Sequence, residues 1–257
     1  MKPNRMKQRI QSGETLVGAF VNVPHPELVE ILGLLEIDFI IVDGEHTGIT
    51  AAMAEELMRA AELHNVTPVA RVGHNHPQEI QKFLESGAQG VLIPLVNNGG
   101  DAQRVVDAVK YPRLGRRGLA PSRASQWGLA EGGLSQHVED ANRETFIAVQ
   151  IETQAAVDHF EEIAGTDHVD MIFFGPSDLS SALGLPGQTG HPDVVRMIER
   201  LAQHTREAGK AVGTIARDGE AARHWREHGI QWMCTGVSNL FAAGAQAYLD
   251  DVRSGIE

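Results

Sequence analysis

The chain has 257 residues, of which 42% are hydrophobic and 22% are charged, a composition typical of a folded globular protein rather than a disordered one. Its 34 acidic and 22 basic residues give a formal net charge of −12, which disfavours binding to the phosphates of nucleic acid. The single cysteine excludes a disulfide framework, and no apolar run approaches the roughly 18 to 20 residues that span a bilayer. Because the basic start also lacks the apolar core of a secretion signal, the sequence predicts a cytoplasmic enzyme that binds neither nucleic acid nor membrane.

Eight short runs rich in β-branched and aromatic residues are predicted to be strands. Several are apolar throughout rather than alternating, which is typical of strands that are covered on both faces. The eight runs are Thr15–Val23, Asp38–His46, Thr67–Val72, Gly90–Val96, Phe146–Glu152, Asp170–Pro176, Ala211–Ala216 and Trp232–Val237.

Longer amphipathic stretches rich in Ala and Glu separate these runs and are predicted to be helices. They are Pro26–Leu35, Ala51–His64, Pro77–Glu85, Asp101–Val109, Gln154–Ile163, Pro192–Gly209 and Gly219–His228. A doubly wound sheet would use about six such strands. Eight repeated strand–helix units instead predict an α/β fold of the (β/α)₈ TIM-barrel type, with residues 1–257 as a single domain.

One interval departs from this rhythm. The stretch between the fourth and fifth strands contains GRRGLAPSRASQWGLAEGG, which has many Gly, Arg and Ser residues and no apolar period. Loops of such length in compact domains are often functional. Residues 115–135 are therefore predicted to form a long loop near the active site, and a mobile surface loop is the alternative.

Polar and charged residues collect where four of the predicted strands end. Reactive groups of parallel barrels lie at the C-terminal ends of the strands, so these residues are predicted to face one mouth. They are Asp43, Glu45 and His46 after the second run, Arg71 in the third, Gln150 and Glu152 in the fifth, and Gly175, Ser177 and Asp178 around the end of the sixth.

Glu152 and Asp178 follow neighbouring strands, so their carboxylates are predicted to meet. Two carboxylates repel each other unless one is protonated or a cation lies between them. Oxygen ligands suit Mg²⁺ or Mn²⁺, with Co²⁺ as a further candidate. The alternative is that Glu152 caps the next helix and Asp178 lies in the first turn of its own helix.

The other residues at this mouth suit an α-keto acid. His46 is a candidate general base near neutral pH; as alternatives it is a third metal ligand or a turn residue bonded to Asp43. Arg71 needs an ion pair or an anionic ligand in its apolar strand, and the amides of Gly175–Ser177 suit a carboxylate. No Lys ends a predicted strand, so a Schiff-base mechanism lacks its nucleophile.

Several segments that contain these residues resemble the HpcH/HpaI family, the class II aldolases of 4-hydroxy-2-oxo acids. The resemblance covers nearly the whole chain, in order. It rests on IIVDGEHTG, PVARVGHNHPQEIQKFLESGAQGVLIPLVNN, YPRLGRRG with SRASQWG, AVQIET and FFGPSDLSSALG.

The resemblance implies a metal-dependent lyase. Such an enzyme reversibly cleaves 4-hydroxy-2-oxo acids, such as 4-hydroxy-2-oxoheptanedioate or 2-keto-3-deoxy sugar acids, to pyruvate and an aldehyde through a metal-stabilised enolate. It also implies a homo-oligomer, a hexamer or a trimer, in which C-terminal helices are exchanged between neighbours.

The resemblance assigns a role to each matching position. Glu152 and Asp178 are the implied metal ligands, His46 the base, and Arg71 the group that polarises the keto oxygen. Glu45 is implied to hold a water on the metal and Gln150 to line the pocket, while the amides of Ser177 and Asp178, with Gly175 before them, bind the pyruvate carboxylate. Glu85 stands where the family often has an Asp that pairs with the His base, so the resemblance makes it a candidate partner of His46, with a side chain one methylene longer. The stretch Pro24–Pro26 and the loop Arg123–Trp127, contributed by a neighbouring subunit, are candidates for selecting the aldehyde.

Other functions remain open at this stage. A CoA-thioester lyase of the citrate-lyase β type would need a basic surface for the nucleotide phosphates, which the charge of −12 does not favour. Decarboxylation or addition through the same enolate is a further enzymatic alternative. A non-catalytic α-keto-acid binder belongs to a different class, but it would not need to keep every catalytic position.

Overall fold

The computed structural model describes residues 1–254 and contains a closed barrel of eight parallel strands in sequential order. The strands are β1 (Leu16–Val21), β2 (Phe39–Asp43), β3 (Thr67–Arg71), β4 (Gly90–Ile93), β5 (Phe146–Ile151), β6 (Met171–Phe174), β7 (Ala211–Ile215) and β8 (Trp232–Gly236). Each pairs with its neighbours, and β8 closes the barrel on β1. The predicted TIM-barrel fold is confirmed.

Helices surround the barrel. They are α1 (Arg5–Gln11), α2 (Pro26–Leu34), α3 (Ala51–Leu63), α4 (Pro77–Ser86), α5 (Gly99–Val109), α6 (Gly133–Glu144), α7 (Gln154–Asp158), α8 (Phe160–Ala164), α9 (Pro176–Ala182), α10 (Pro192–Glu207), α11 (Gly219–Glu227) and α12 (Val237–Ser254), with a short 3-10 helix at Gln126–Gly128. None of the helices within residues 1–254 is both long and apolar enough to cross a membrane.

Large side chains fill the interior of the barrel. Phe39 and Trp232 stack with ring centroids 3.9 Å apart, and Phe173 meets Trp232 edge-on at 5.8 Å. Gly18 makes room for this stack, because a Cβ atom there would overlap the Phe39 ring. Since the interior is solid, any ligand must bind at an end of the barrel.

Strand alternation carries the inward-facing rows from this core to the mouth. Residues two apart on a strand face the same side, and Phe39 and Ile41 of β2 belong to the interior cluster. Asp43 is the next residue in that row. Its partner in the register of β3 is Arg71, which follows the interior residue Val69 in the same way. The two charged side chains therefore reach the mouth together.

Helix α1 covers the opposite end of the barrel. Its residues Met6 and Ile10 are buried in the interior cluster, and the indole N–H of Trp232 donates to the Met6 sulfur at 3.2 Å. The N-terminal ends of the strands are therefore packed closed, and only the C-terminal mouth is open for chemistry.

Three boundaries differ from the sequence-based prediction. Strand β2 ends at Asp43 rather than His46, because the Asp43 carboxylate accepts the N–H groups of the next turn. The stretch predicted as one helix after β5 is divided into α7 and α8 at His159, whose φ of −106° and ψ of 22° are not helical. Helix α6 begins inside the predicted loop 115–135.

The predicted loop lies beside the last turns of α3 and α4. Arg123 donates to the Ser86 carbonyl at 2.8 Å and to Glu62 at 2.7 Å. Helices of a (β/α)₈ barrel run antiparallel to the strands, so these last turns lie at the N-terminal end of the barrel. Within one chain the loop is therefore away from the mouth, and its predicted place near an active site requires the mouth of a second subunit.

Candidate active site

A buried ion pair joins β2 and β3 at the mouth. Arg71 donates from Nε to Asp43 Oδ1 at 3.0 Å and from Nη2 to Asp43 Oδ2 at 2.8 Å, a two-point contact that fixes the plane of the guanidinium. The guanidinium carbon, Arg71 Cζ, lies 4.4 Å from the ring centroid of Phe20. Burial raises the pKa of Asp43, but the Arg71 guanidinium and the N–H groups of His46 and Glu45 outweigh burial and hold that pKa below its ordinary value.

The turn after β2 depends on Asp43 and a glycine. Asp43 Oδ1 accepts the N–H of Glu45 at 3.1 Å and of His46 at 3.2 Å. Gly44 donates to the Arg71 carbonyl at 2.8 Å, and a Cβ atom on Gly44 would lie 2.8 Å from that same oxygen. The close approach requires glycine here, and it directs Glu45 and His46 to the mouth.

Glu45 lies between the guanidinium and the imidazole. Its Oε2 is 3.3 Å from Arg71 Nη1 and 3.7 Å from His46 Nε2, yet this buried oxygen has no hydrogen-bond partner among the described residues. Burial raises the pKa of Glu45, and the nearby carboxylates of Asp43 and Asp178 add to the rise, while Arg71 opposes it. The side chain of His46 is 62% exposed, so it can exchange protons with solvent.

Glu152 follows β5 and is nearly buried. Its Oε1 accepts the N–H of Leu95 at 2.6 Å, and its Oε2 accepts from the amide of Gln150. Burial raises the pKa of Glu152 to about 7, and the charges of Glu45 and Asp178 contribute although the Leu95 and Gln150 hydrogen bonds lower it. A carboxyl group with a pKa raised this far can exchange a proton near neutral pH, and a nearby cation would favour its ionised form.

A cavity of about 530 Å³ brings four of the predicted site residues together. Glu45, His46, Glu152 and Asp178 all line it, with Leu95, Thr153, Gln154 and Ala182. Asp178 lies in the first turn of α9, and its charge raises the pKa of both Glu45 and Glu152. Three carboxylates thus share one cavity.

The remaining predicted residues lie around this cavity. Gln150 donates to Glu152, and its buried Oε1 has no partner among residues 1–254. Gly175 passes close by, since a Cβ atom there would lie 3.1 Å from Gln150 Nε2 and 3.6 Å from Glu152 Oε2. Ser177 is in the first turn of α9, and its carbonyl accepts from Ser180 Oγ at 2.6 Å.

Glu85 is not joined to His46 by any contact within residues 1–254. Its Oε1 accepts from Gln81 at 2.7 Å, and it lies in the last turn of α4, at the closed end of the barrel. A pairing of Glu85 with an imidazole base therefore requires a second subunit and stays a prediction.

The residues of the cavity suit a divalent cation that prefers oxygen ligands. The donors are carboxylates, two of which have raised pKa values, and the buried Oε2 of Glu45 lacks a partner in the described chain. A cation between these groups would relieve their repulsion.

Sequence reasoning placed Asp43 at the mouth only as one of several possible partners of Arg71 or His46, and it did not identify the Leu95 amide. Asp43 is the residue that positions Arg71; its place two residues after Ile41 in an inward-facing row could have revealed it. The Leu95 N–H contact crosses from the end of β4 to Glu152, and no residue type in the sequence signals a backbone donor.

A closed (β/α)₈ barrel with carboxylates, an imidazole and an ion-paired guanidinium at the C-terminal mouth is the architecture of a barrel enzyme. The family model described as HpcH/HpaI aldolase/citrate lyase matches residues 16–243. The 2-keto-3-deoxy-L-rhamnonate aldolase of Escherichia coli (strain Crooks) is 33% identical over 244 residues, which cover 94% of this chain and 90% of the relative.

Solved structures agree with these matches. An HpcH/HpaI aldolase/citrate lyase family protein from Burkholderia cenocepacia is 30% identical with a TM-score of 0.91, and the match covers 97% of this chain and 99% of that one. A citrate synthase is 27% identical with a TM-score of 0.87, covering 98% and 99% of the two chains. The chain belongs to the HpcH/HpaI aldolase/citrate lyase family, and it is a lyase of the aldolase type.

Proposed function

We propose that this protein reversibly cleaves 2-keto-3-deoxy sugar acids, or closely related 4-hydroxy-2-oxo acids, to pyruvate and an aldehyde. The observation that carries the proposal is the Arg71 guanidinium, fixed by Asp43 beside the carboxylates of the mouth. The relative named as an aldolase of 2-keto-3-deoxy-L-rhamnonate supports this substrate class.

A divalent cation, Mg²⁺ or Mn²⁺ with Co²⁺ as a further candidate, is proposed to bind Glu152 and Asp178. Their oxygen donors suit these hard ions, and the family is in general one of divalent-metal-dependent enzymes. When bound, such an ion supplies Lewis acidity toward the carboxylate and keto oxygens of the substrate.

Three residues of the mouth are proposed to have different roles in the cleavage. Arg71 donates to the keto oxygen and stabilises the negative charge that develops there as the bond between C3 and C4 breaks. His46, exposed on one side, takes the proton of the 4-hydroxyl group as the aldehyde forms, and a proton delivered to C3 of the enolate, from His46 or from solvent, completes pyruvate. Glu45 lies within reach of both residues and orients a water between them.

The substrate carboxylate is proposed to bind the backbone amides of Ser177 and Asp178. These residues begin α9, where N–H groups are free of intrahelical partners. Gly175 leaves the approach open, since it adds no side chain beside Gln150 and Glu152. Gln150 completes this side of the pocket.

The aldehyde side is proposed to form between subunits of a hexamer or trimer. Glu85 and the loop around Arg123 lie at the closed end of their own barrel, so they can serve only the mouth of a neighbouring chain. Exchange of α12 between neighbours would bring such chains together.

The test is pyruvate release from a 2-keto-3-deoxy acid. EDTA should abolish turnover and Mg²⁺ or Mn²⁺ should restore it. Glu152→Gln should lower turnover by at least about a hundredfold. Its far-UV circular dichroism spectrum should be unchanged, which would show that the variant is folded. Glu56→Gln, on the exposed face of α3, is the matched control and should keep full activity.

Equal turnover with and without EDTA, or full activity of Glu152→Gln, would refute the proposal. Because a citrate synthase is also similar to this chain, the reverse reaction should be run with pyruvate and several aldehydes. Condensation without any cleavage of 2-keto-3-deoxy acids would point to a dedicated synthase instead.

A further inference from the structure

A second group of metal-ligating side chains lies on the outer layer of helices. His224 on α11 and His228, which follows its last residue, are four residues apart and so face the same side. Glu199 of the neighbouring α10 faces both imidazoles. None of the three lines the cavity of the candidate active site.

The distances within this group match those around a tetrahedral ion. Glu199 Oε1 lies 3.2 Å from His224 Nε2 and 3.3 Å from His228 Nε2. An ion with bonds of about 2.0 to 2.1 Å holds its tetrahedral ligand atoms roughly 3.3 Å apart. Ligand atoms of all three side chains lie within 4.8 Å of one another, so a modest turn of one ring would complete three ligands.

Hydrogen bonding prepares His228 for coordination. Its Nδ1 is 2.8 Å from the His224 carbonyl, and because a carbonyl oxygen only accepts, Nδ1 carries the proton. In the neutral ring Nε2 then has a free lone pair, and it is the atom that faces Glu199. A backbone carbonyl that fixes the distal nitrogen is the usual support of a metal-bound histidine.

His224 presents its Nε2 in the same direction. This nitrogen is buried, and no hydrogen bond of acceptable geometry reaches it from residues 1–254. The centroid of the His224 ring lies 4.4 Å from that of His228, with the two ring planes tilted by 40°, and the side chains of the group are only 27% to 40% exposed. Two imidazole nitrogens and one carboxylate oxygen that face the same point are positioned to share a cation.

We propose that Glu199, His224 and His228 bind a Zn²⁺ ion, with water completing the coordination. Imidazole nitrogens favour borderline ions such as Zn²⁺ over Mg²⁺, which prefers oxygen. The site therefore differs in selectivity from the mouth, where the two proposed ligands, Glu152 and Asp178, are both carboxylates. By joining α10 to α11 it would stabilise the folded chain through binding linkage.

The test uses full-length protein in which Glu152→Gln and Asp178→Asn remove the ligands proposed for the mouth. Equilibrium dialysis against Zn²⁺ in excess Mg²⁺, with the bound metal measured by mass spectrometry, should find a zinc ion on each chain. Adding His224→Gln and His228→Gln should remove it. His204→Gln is the matched control. His204 lies on α10, the helix of Glu199, its side chain is similarly exposed, and within residues 1–254 it pairs only with the carboxylate of Glu161.

A second readout separates binding from misfolding. In the otherwise unaltered chain, Zn²⁺ should raise the midpoint of thermal unfolding, and this rise should be absent from the His224→Gln and His228→Gln variant, whose midpoint without metal should be nearly unchanged. Equal zinc uptake with and without the two histidines, or no uptake by the parent protein, would overturn the proposal. Neither result bears on the aldolase assay, which is run with Mg²⁺.

Discussion

Asp43 is the residue on which the geometry of the mouth depends. It accepts two hydrogen bonds from Arg71 and two from the turn that carries Glu45 and His46. One buried carboxylate therefore orients both the cation that would polarise the substrate and the loop that carries the proposed base. Removing one partner of a buried pair leaves the other charge uncompensated.

Asp43→Asn should therefore lower both stability and activity. The amide N–H₂ would face the donors of Arg71, so we expect about 3 to 5 kcal/mol of lost stability and at least about tenfold lower turnover. Urea unfolding and pyruvate release measure the two effects. Asp193→Asn removes an exposed pair with Arg196 and should cost less than about 1 kcal/mol; an equally small cost at Asp43 would contradict the structural role given to it.

Glu152 should make the stability of the metal-free protein depend on pH. Its pKa is raised from 4.5 to about 7 in the folded chain, so the folded state binds a proton more tightly than the unfolded state. The resulting stabilisation is complete below pH 4.5 and is lost as the pH rises through about 7. The slope from this group is at most about 1.4 kcal/mol per pH unit.

The comparison that isolates this effect is Glu152→Gln without metal. Urea unfolding at several pH values between 5 and 8 should give a flatter stability profile for the variant than for the parent protein, since the amide does not titrate. Identical profiles would show that Glu152 titrates at its ordinary value.

At the scale of the elements, the order and type of the strands could be read from the sequence. All eight predicted runs contain an observed strand, because short, continuous apolar runs rich in β-branched and aromatic residues, such as the one around Phe173, are typical of buried parallel strands. Strand ends were less predictable. Strand β2 stops at Asp43 because its side chain bonds to the next turn, a contact that propensity does not encode.

The helices that were missed have tertiary reasons to exist. Helix α1 has only Met6 and Ile10 as buried residues, which are too few for a periodic hydrophobic pattern. Both pack against the interior of the barrel, so tertiary contacts stabilise this helix. Helix α6 begins with two glycines of positive φ, the N-cap Gly132 and the first helical residue Gly133, and glycines of this kind are typical of a loop. The group proposed to bind zinc was missed, since Glu199 lies on α10 and the two histidines lie at the end of α11, so they meet only in the folded chain.

Gly18 offers a test of how tightly the interior of β1 and β2 is packed. A Cβ atom at Gly18 would overlap the Phe39 ring, which is held by its stack on Trp232. Gly18→Ala should therefore destabilise the protein by about 1 to 3 kcal/mol, measured by urea unfolding.

Gly48→Ala is the matched control for this substitution. Nothing lies within 4 Å of a Cβ atom at Gly48, so its effect should stay within about 0.5 kcal/mol. A Gly18→Ala variant as stable as this control would mean that Phe39 can move without cost.

For the whole molecule, α12 is the element that a single chain leaves least covered. Phe241 is 75% exposed and Tyr248 69%, and with Val252 they fall on one side of the helix. A row of this kind on an 18-residue helix is typical of an interface, which agrees with the proposed assembly through C-terminal helices.

Phe241→Asp together with Tyr248→Asp should therefore dissociate the proposed oligomer. The charges would have to be buried without partners, so light scattering on a sizing column should show a smaller species than the parent protein. Gln246→Asp adds a charge on the opposite side of α12 and should leave the mass unchanged. An unchanged mass for the double variant would exclude this row from the interface.

The closed end of the barrel contains a buried tryptophan, whose fluorescence depends on whether that end stays packed. Trp232 is fully buried against Phe39 and Met6, whereas Trp127 is 58% exposed. In a background with Trp127→Phe and Trp225→Phe, Trp232 is the single tryptophan, and a shift of its fluorescence emission to longer wavelength would time the moment at which α1 leaves the strands. A spectroscopist could thus follow the opening of this end separately from events at the mouth.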